Sequence, residues 1–199
     1  MILKRTTIPI ILVVICFFSS TNLKVKSSQA TVPINITVEG KLIITDGQND
    51  NKSGVDPTLN VILKLIPDLN NSIVNGSSKI RIRTNLNNWK LTAQRNNTES
   101  TNNIDPEDIS LSFTTQAGST ANSNAAKLIS PFDITTNLSQ ISTTTSSDIL
   151  IGNSRTSIQK DPENKNNWFQ LTSNYSISPD FFYEVGDWNT IVSYNLVSP

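Results

Sequence analysis

The stretch Asn87-Asn88-Trp89-Lys90-Leu91-Thr92-Ala93 decides the fold. Trp89, Leu91 and Ala93 alternate with polar neighbours, which places a large ring and its apolar companions on one face of a strand. An indole is costly to leave in water, so a sheet with few other large groups assembles over it. The strand therefore predicts an all-β chain whose sheets close over Trp89 as an antiparallel β-sandwich.

The same alternation recurs on both sides of this stretch. Upstream, Thr31 to Val38 reads as a strand in which Pro33 sits at an edge or at the start, and Lys41 to Thr45 follows. Leu59, Val61, Leu63 and Leu65 predict a strand ending near Pro67. Asn70 to Ser78 reads as turn chemistry with Asn75-Gly76 its sharpest signal, before a strand over Lys79-Ile80-Arg81-Ile82-Arg83. Downstream, Ile109, Leu111 and Phe113 give a clean strand, while Ala117 to Lys127 reads as a loop with one helical turn at its Ala-rich end. Ile129 to Ile134 and Leu138 to Ile141 are weak strands, and Ile149 to Gly152 is a short buried run. Asn166-Asn167-Trp168-Phe169-Gln170-Leu171-Thr172 echoes the deciding stretch with one extra residue, either as an equivalent strand or as a consequence of Asn-rich composition. Trp188, Thr190, Val192, Tyr194 and Leu196 share one face of the closing strand. The total is about ten strands.

The first thirty residues read differently. Lys4 and Arg5 precede the apolar run Ile8–Phe18, and a polar stretch ends at Ser28-Gln29-Ala30. This is the pattern of a secretory signal peptide over 1–30, cleaved after Ala30, leaving a single domain over 31–199. The eleven residues of the run fall short of a bilayer span, which needs roughly 20. Ile15, before Cys16, is too bulky for a lipobox. The leader holds four of the 16 basic residues and none of the 16 acidic ones, leaving 12 against 16 and a net charge of −4. That balance disfavours nucleic acid and anionic membranes as partners. The charges of Lys79, Arg81 and Arg83 alternate with isoleucines, as on the wet face of a strand.

Composition also limits the chemistry. The chain has no histidine, and its one cysteine, Cys16, lies in the leader. Ser-His-Asp and Cys-His nucleophile systems and ordinary zinc sites are thereby excluded. A carboxylate pair or a Ser-Lys dyad remains, with Asp105, Glu107 and Asp108, or Asp161 and Glu163, as acids beside prolines in loops. Such clusters read as solvated turns. The loop from Asp46 to Pro57 is oxygen-rich but departs from a calcium loop, with Lys52 among the ligands, Asn51 for glycine and Pro57 for glutamate. No metal or cofactor is expected. Thr143, Thr144, Thr145, Ser146 and Ser147 form a hydroxyl tract suited to O-glycosylation in a secreted protein, and Ser119 to Ser123 is a second. Asn35, Asn75, Asn96, Asn137 and Asn174 begin Asn-x-Ser/Thr sequons. Of the three tryptophans, Trp168 and Trp188 lie nearest to loops and are the candidates for stacking on a glycan.

At Trp89-Lys90-Leu91, and again from Trp188 through Thr190-Ile191 and Tyr194-Asn195-Leu196 to Pro199, the chain resembles the WxL-type bacterial surface domain. That family carries a Trp-x-Leu in an early strand and a second one in a strand that closes the domain near a proline. Here Tyr194 stands in place of the second tryptophan. The closing strand is also similar to those of pilin-like secreted sandwiches, and in leader and composition the chain is similar to secreted surface glycoproteins of cyanobacteria of the microcystin-related exoprotein type. The resemblance implies an immunoglobulin-like or pilin-like sandwich at the cell surface and, from the WxL family, peptidoglycan binding. The expected function is non-enzymatic cell–cell or cell–matrix attachment. The expected partner is envelope or extracellular polysaccharide, or copies of the protein on neighbouring cells. A fibre subunit using Thr31 to Val38 as a donated strand and a carbohydrate-binding module are the alternatives.

Overall fold

The computed structural model describes residues 36–48, 57–70, 72–97 and 101–199. The leader expected at 1–30, the strand expected at Thr31 to Val38 as far as Asn35, and residues 49–56 of the polar loop lie outside the described residues. The chain divides into Met1–Thr37 and a compact unit, Val38–Pro199, and the architecture below is that of the second unit.

Nine strands form among the described residues, where the alternation suggests about ten. They are β1 (Leu42–Asp46), β2 (Val74–Thr84), β3 (Trp89–Asn97), β4 (Ser110–Ala117), β5 (Ala126–Leu128), β6 (Thr136–Asn137), β7 (Ser147–Gly152), β8 (Phe169–Ile177) and β9 (Thr190–Val197). A five-stranded sheet runs β1-β2-β8-β4-β6 and a four-stranded sheet runs β5-β7-β3-β9, all pairs antiparallel. The protein is an all-β antiparallel sandwich, as the alternation predicts.

Trp89 is the centre of that sandwich. It opens β3 and is 1% exposed, and its ring meets Phe169 of the opposite sheet edge-to-face, with centroids 6.4 Å apart. Its indole N–H donates to the Ser154 carbonyl at 2.8 Å, so the ring is buried without losing a hydrogen bond. Gly152, paired with Trp89 across β3 and β7, makes room for it: a Cβ there would lie 2.1 Å from ring carbon Cε2. Leu91 and Ala93 continue the inward face, and Leu111, Ile149, Leu150 and Leu171 complete the layer around it.

The chain passes from one sheet to the other through Asn85–Asn88, and Thr156 fixes that crossing. Its buried hydroxyl accepts from the Thr84 N–H at 3.0 Å and donates to the Thr84 carbonyl at 3.2 Å. No alternation marks Thr156 in the sequence.

Several expected elements take another form. Asn75-Gly76 is not a hairpin turn but lies inside β2, paired with Ser176 and Tyr175 of β8. The glycine serves close packing there: a Cβ at Gly76 would lie 2.6 Å from Val61 Cγ1 and 2.7 Å from Leu63 Cδ2. The strand expected over Leu59 to Leu65 keeps its alternation, with Leu59, Leu63 and Leu65 against the core, but joins no ladder among the described residues. The Ala-rich end of Ala117 to Lys127 enters strand β5 rather than a helical turn. Leu138–Gln140 is a short 3-10 helix, not a strand.

Candidate functional site

The largest apolar groups left in water at one end of the sandwich lie in the loop 178–189, between β8 and β9. Phe181 is 71% exposed, Phe182 74% and Val185 103%. The loop is not loose. Thr101, Asn102 and Asn103 splint it from the side. Asn103 Nδ2 donates to the Phe182 carbonyl at 3.0 Å, and Asn103 Oδ1 accepts from the Glu184 N–H at 2.9 Å. Asn102 Nδ2 donates to the Gly186 carbonyl at 3.2 Å. Thr101 Oγ1 accepts from the Asp187 N–H at 2.8 Å, and the Thr101 N–H donates to the Asp187 carbonyl at 3.0 Å. Within the loop, Asp180 Oδ1 caps the Phe182 N–H at 2.8 Å. Tyr183 turns inward onto the core, and its burial, with Asp108 and Asp180 beside it, holds its hydroxyl above the usual phenol pKa.

This end is acidic. Segments 101–108 and 178–189 carry Asp105, Glu107, Asp108, Asp180, Glu184 and Asp187 and no lysine or arginine. Asp105 and Asp108 cap their own short 3-10 helix, Pro106–Asp108, through a reciprocal capping box. Those two carboxylates thus hold a turn. Arg95, buried nearby, donates from Nε to the Ile141 carbonyl at 3.3 Å; burial lowers its pKa and the neighbouring Asp105 pushes it back up. Asp161 and Glu163 sit in a different loop. Asp161 accepts from the Asn166 N–H at 2.6 Å and from Thr120 Oγ1 at 3.2 Å, and Glu163 pairs with Lys165. The backbone hydrogen bond from Asn166 is the chief cause of a lowered Asp161 pKa. No three of these acids converge on a metal-holding geometry among the described residues.

The candidates from sequence fall in different places. Trp168, expected as one of the more exposed indoles, is 8% exposed: its N–H donates to the Lys165 carbonyl at 2.9 Å and the Arg81 guanidinium lies 3.9 Å over its ring. The face of the ring toward Arg81 is thus covered by a cation. Trp188 is half-buried against the core at the end of the aromatic loop. Thr143, Thr144, Thr145 and Ser146 are exposed on the turn into β7. Ser142 Oγ organises that turn, accepting from the N–H groups of Thr144 and Thr145 at 3.2 and 3.1 Å. Ser147 is half-buried, and its hydroxyl accepts from the Ser142 N–H at 3.2 Å.

The residues that composition did not single out are Phe181, Phe182 and Val185, with their splint Thr101–Asn103. The run Phe181-Phe182-Tyr183 is aromatic, but nothing in the sequence tells an outward ring from an inward one. Compared with family models, with curated proteins and with solved structures, the chain finds no match.

Proposed function

We propose that this protein is a secreted, non-enzymatic surface protein that mediates attachment between cells or to an extracellular matrix. One observation carries the reading: a splinted loop holds two phenylalanines and a valine out into water at an end of the sandwich. Large apolar groups kept exposed on a fixed scaffold are costly unless they meet a partner. The leader at 1–30 and the exposed hydroxyl tract Thr143–Ser146 agree with a place outside the cytoplasm. Deleting the gene should disperse cell aggregates or lower retention of the matrix. Unchanged aggregation and unchanged surface composition would refute the proposal.

A second reading, a fibre subunit built by strand addition, is favoured by β9. Among the described residues, three of the four sheet-edge strands are short: β1 has five residues, β5 three and β6 two. β9 is an edge of eight residues, Thr190-Ile191-Val192-Ser193-Tyr194-Asn195-Leu196-Val197, with no charge, proline or glycine. Edges of this kind accept strands from other chains. Ladders that survive a denaturing gel, and their loss in Ser193→Lys, would support it; a monomer at all concentrations would exclude it.

A further inference from the structure

We infer that Phe181, Phe182 and Val185 form a binding face for an uncharged polysaccharide, the aromatic rings stacking on sugar C–H faces while Glu184 and Asp187 accept hydrogen bonds from sugar hydroxyls. This deepens the attachment reading and rests on it, since it names the site and the class of ligand.

Three kinds of partner could cover exposed phenylalanines, and the size and charge of the patch separate them. Two phenyl rings and one valine offer on the order of 400 Å² of apolar surface. That is about half of the ~800 Å² that each side of a stable protein–protein interface contributes. Between and beside these side chains in the chain stand the exposed Glu184 and Asp187, which interrupt the apolar surface with carboxylates. A lipid surface that carries negative charge is repelled by six carboxylates spread over the two loop segments, with no lysine or arginine among them. Uronate- and sulfate-bearing glycans meet the same repulsion. An uncharged sugar chain does not. Its C–H faces match isolated aromatic rings, and its hydroxyls donate to carboxylates.

The splint adds preorganisation. Asn103 bonds both the Phe182 carbonyl and the Glu184 N–H, so the ring-bearing and carboxylate-bearing residues are held by one side chain. Thr101 does the same for Asp187 from both its side chain and its backbone. A loop already ordered loses little freedom when it binds, which favours the weak, repeated contacts of a polymer ligand.

The test uses the full secreted chain and soluble polysaccharides of three kinds (uncharged, uronate-bearing and sulfated) in affinity electrophoresis, with phosphatidylcholine vesicles in a separate co-sedimentation. Uncharged polysaccharide should retard the protein most. Phe181→Ala with Phe182→Ala should weaken that retardation by about tenfold or more. Ile62→Ala, at an exposed apolar residue elsewhere, should leave it unchanged. Both variants should melt with the wild type, since the changed side chains lie in water. Failure of the wild-type protein to bind any uncharged chain, or equal binding by the double variant, overturns the inference. Vesicle binding or self-association lost in the double variant also overturns it, in favour of a lipid or a second copy. None of these results touches the attachment reading, which stands or falls on aggregation of the deletion strain.

Discussion

Trp89 and Trp168 follow the same Asn-Asn pair, yet their rings end on opposite faces. In the second copy of the motif the extra residue shifts the side-chain parity. Phe169 therefore points inward to meet Trp89, while Trp168 lies on the outer face beneath Arg81. Trp89 was legible because alternation reports a buried face directly. The cover over Trp168 was not, because Arg81 reaches it only through the β2–β8 register, in which Arg81 pairs with Gln170. Gly152 follows from Trp89. Gly152→Ala should destabilise the fold by about 2–3 kcal/mol, since the ring cannot retreat in a filled core; denaturant midpoints of the two proteins measure this. Thr156→Val keeps the side-chain shape but strands the buried Thr84 N–H. It should cost about 2 kcal/mol by the same measurement.

At the scale of elements, titration reports how two of them are held. In β9, the Tyr194 hydroxyl lies 2.9 Å from Ser173 Oγ in the opposite sheet. Burial, reinforced by Tyr175, pushes its pKa well above that of an ordinary phenol. A raised folded pKa means that the stability tied to the neutral phenol is present below the unfolded value, about 10, and is lost as pH rises above it. Tyrosine absorbance should therefore show a phenol that ionises only as the protein unfolds in alkali, and Tyr194→Phe should remove that component. The turn before β8 has the opposite sign. Asp161 has a lowered pKa, chiefly from the Asn166 N–H, so its contribution is present above the unfolded carboxyl value of about 3.9. It fades as pH falls below that value, through the lowered folded one. Asp161→Asn should flatten the acid limb of a melting-temperature profile; a limb unchanged in the variant would show that Asp161 does not contribute. Turn chemistry misled at Asn75-Gly76 because a glycine can serve close packing as well as a bend, and only Val61 and Leu63 above it reveal which.

For the whole molecule, the sandwich was legible and the candidate site was not, for one physical reason. Strand alternation is local, so β3, β4 and β9 could be read from a few residues each. The splint joins Asn103 to Phe182 and Thr101 to Asp187, residues 79 and 86 positions apart, and no periodicity links them. Composition presents Thr101–Asn103 as an ordinary polar loop and Phe181–Tyr183 as aromatic residues that could belong to the core. Only the fold brings them to one end, turns Tyr183 inward and leaves the two phenylalanines in water. Asn103→Ala should release the loop without unfolding the sandwich, seen as faster amide exchange at Glu184, while the Trp89 environment stays native by near-ultraviolet circular dichroism. The most direct measurement is aggregation of a deletion strain carrying either the wild-type protein or Phe181→Ala with Phe182→Ala, at equal surface display. The account predicts that the wild-type protein restores aggregation and the double variant does not; restoration by both would contradict it.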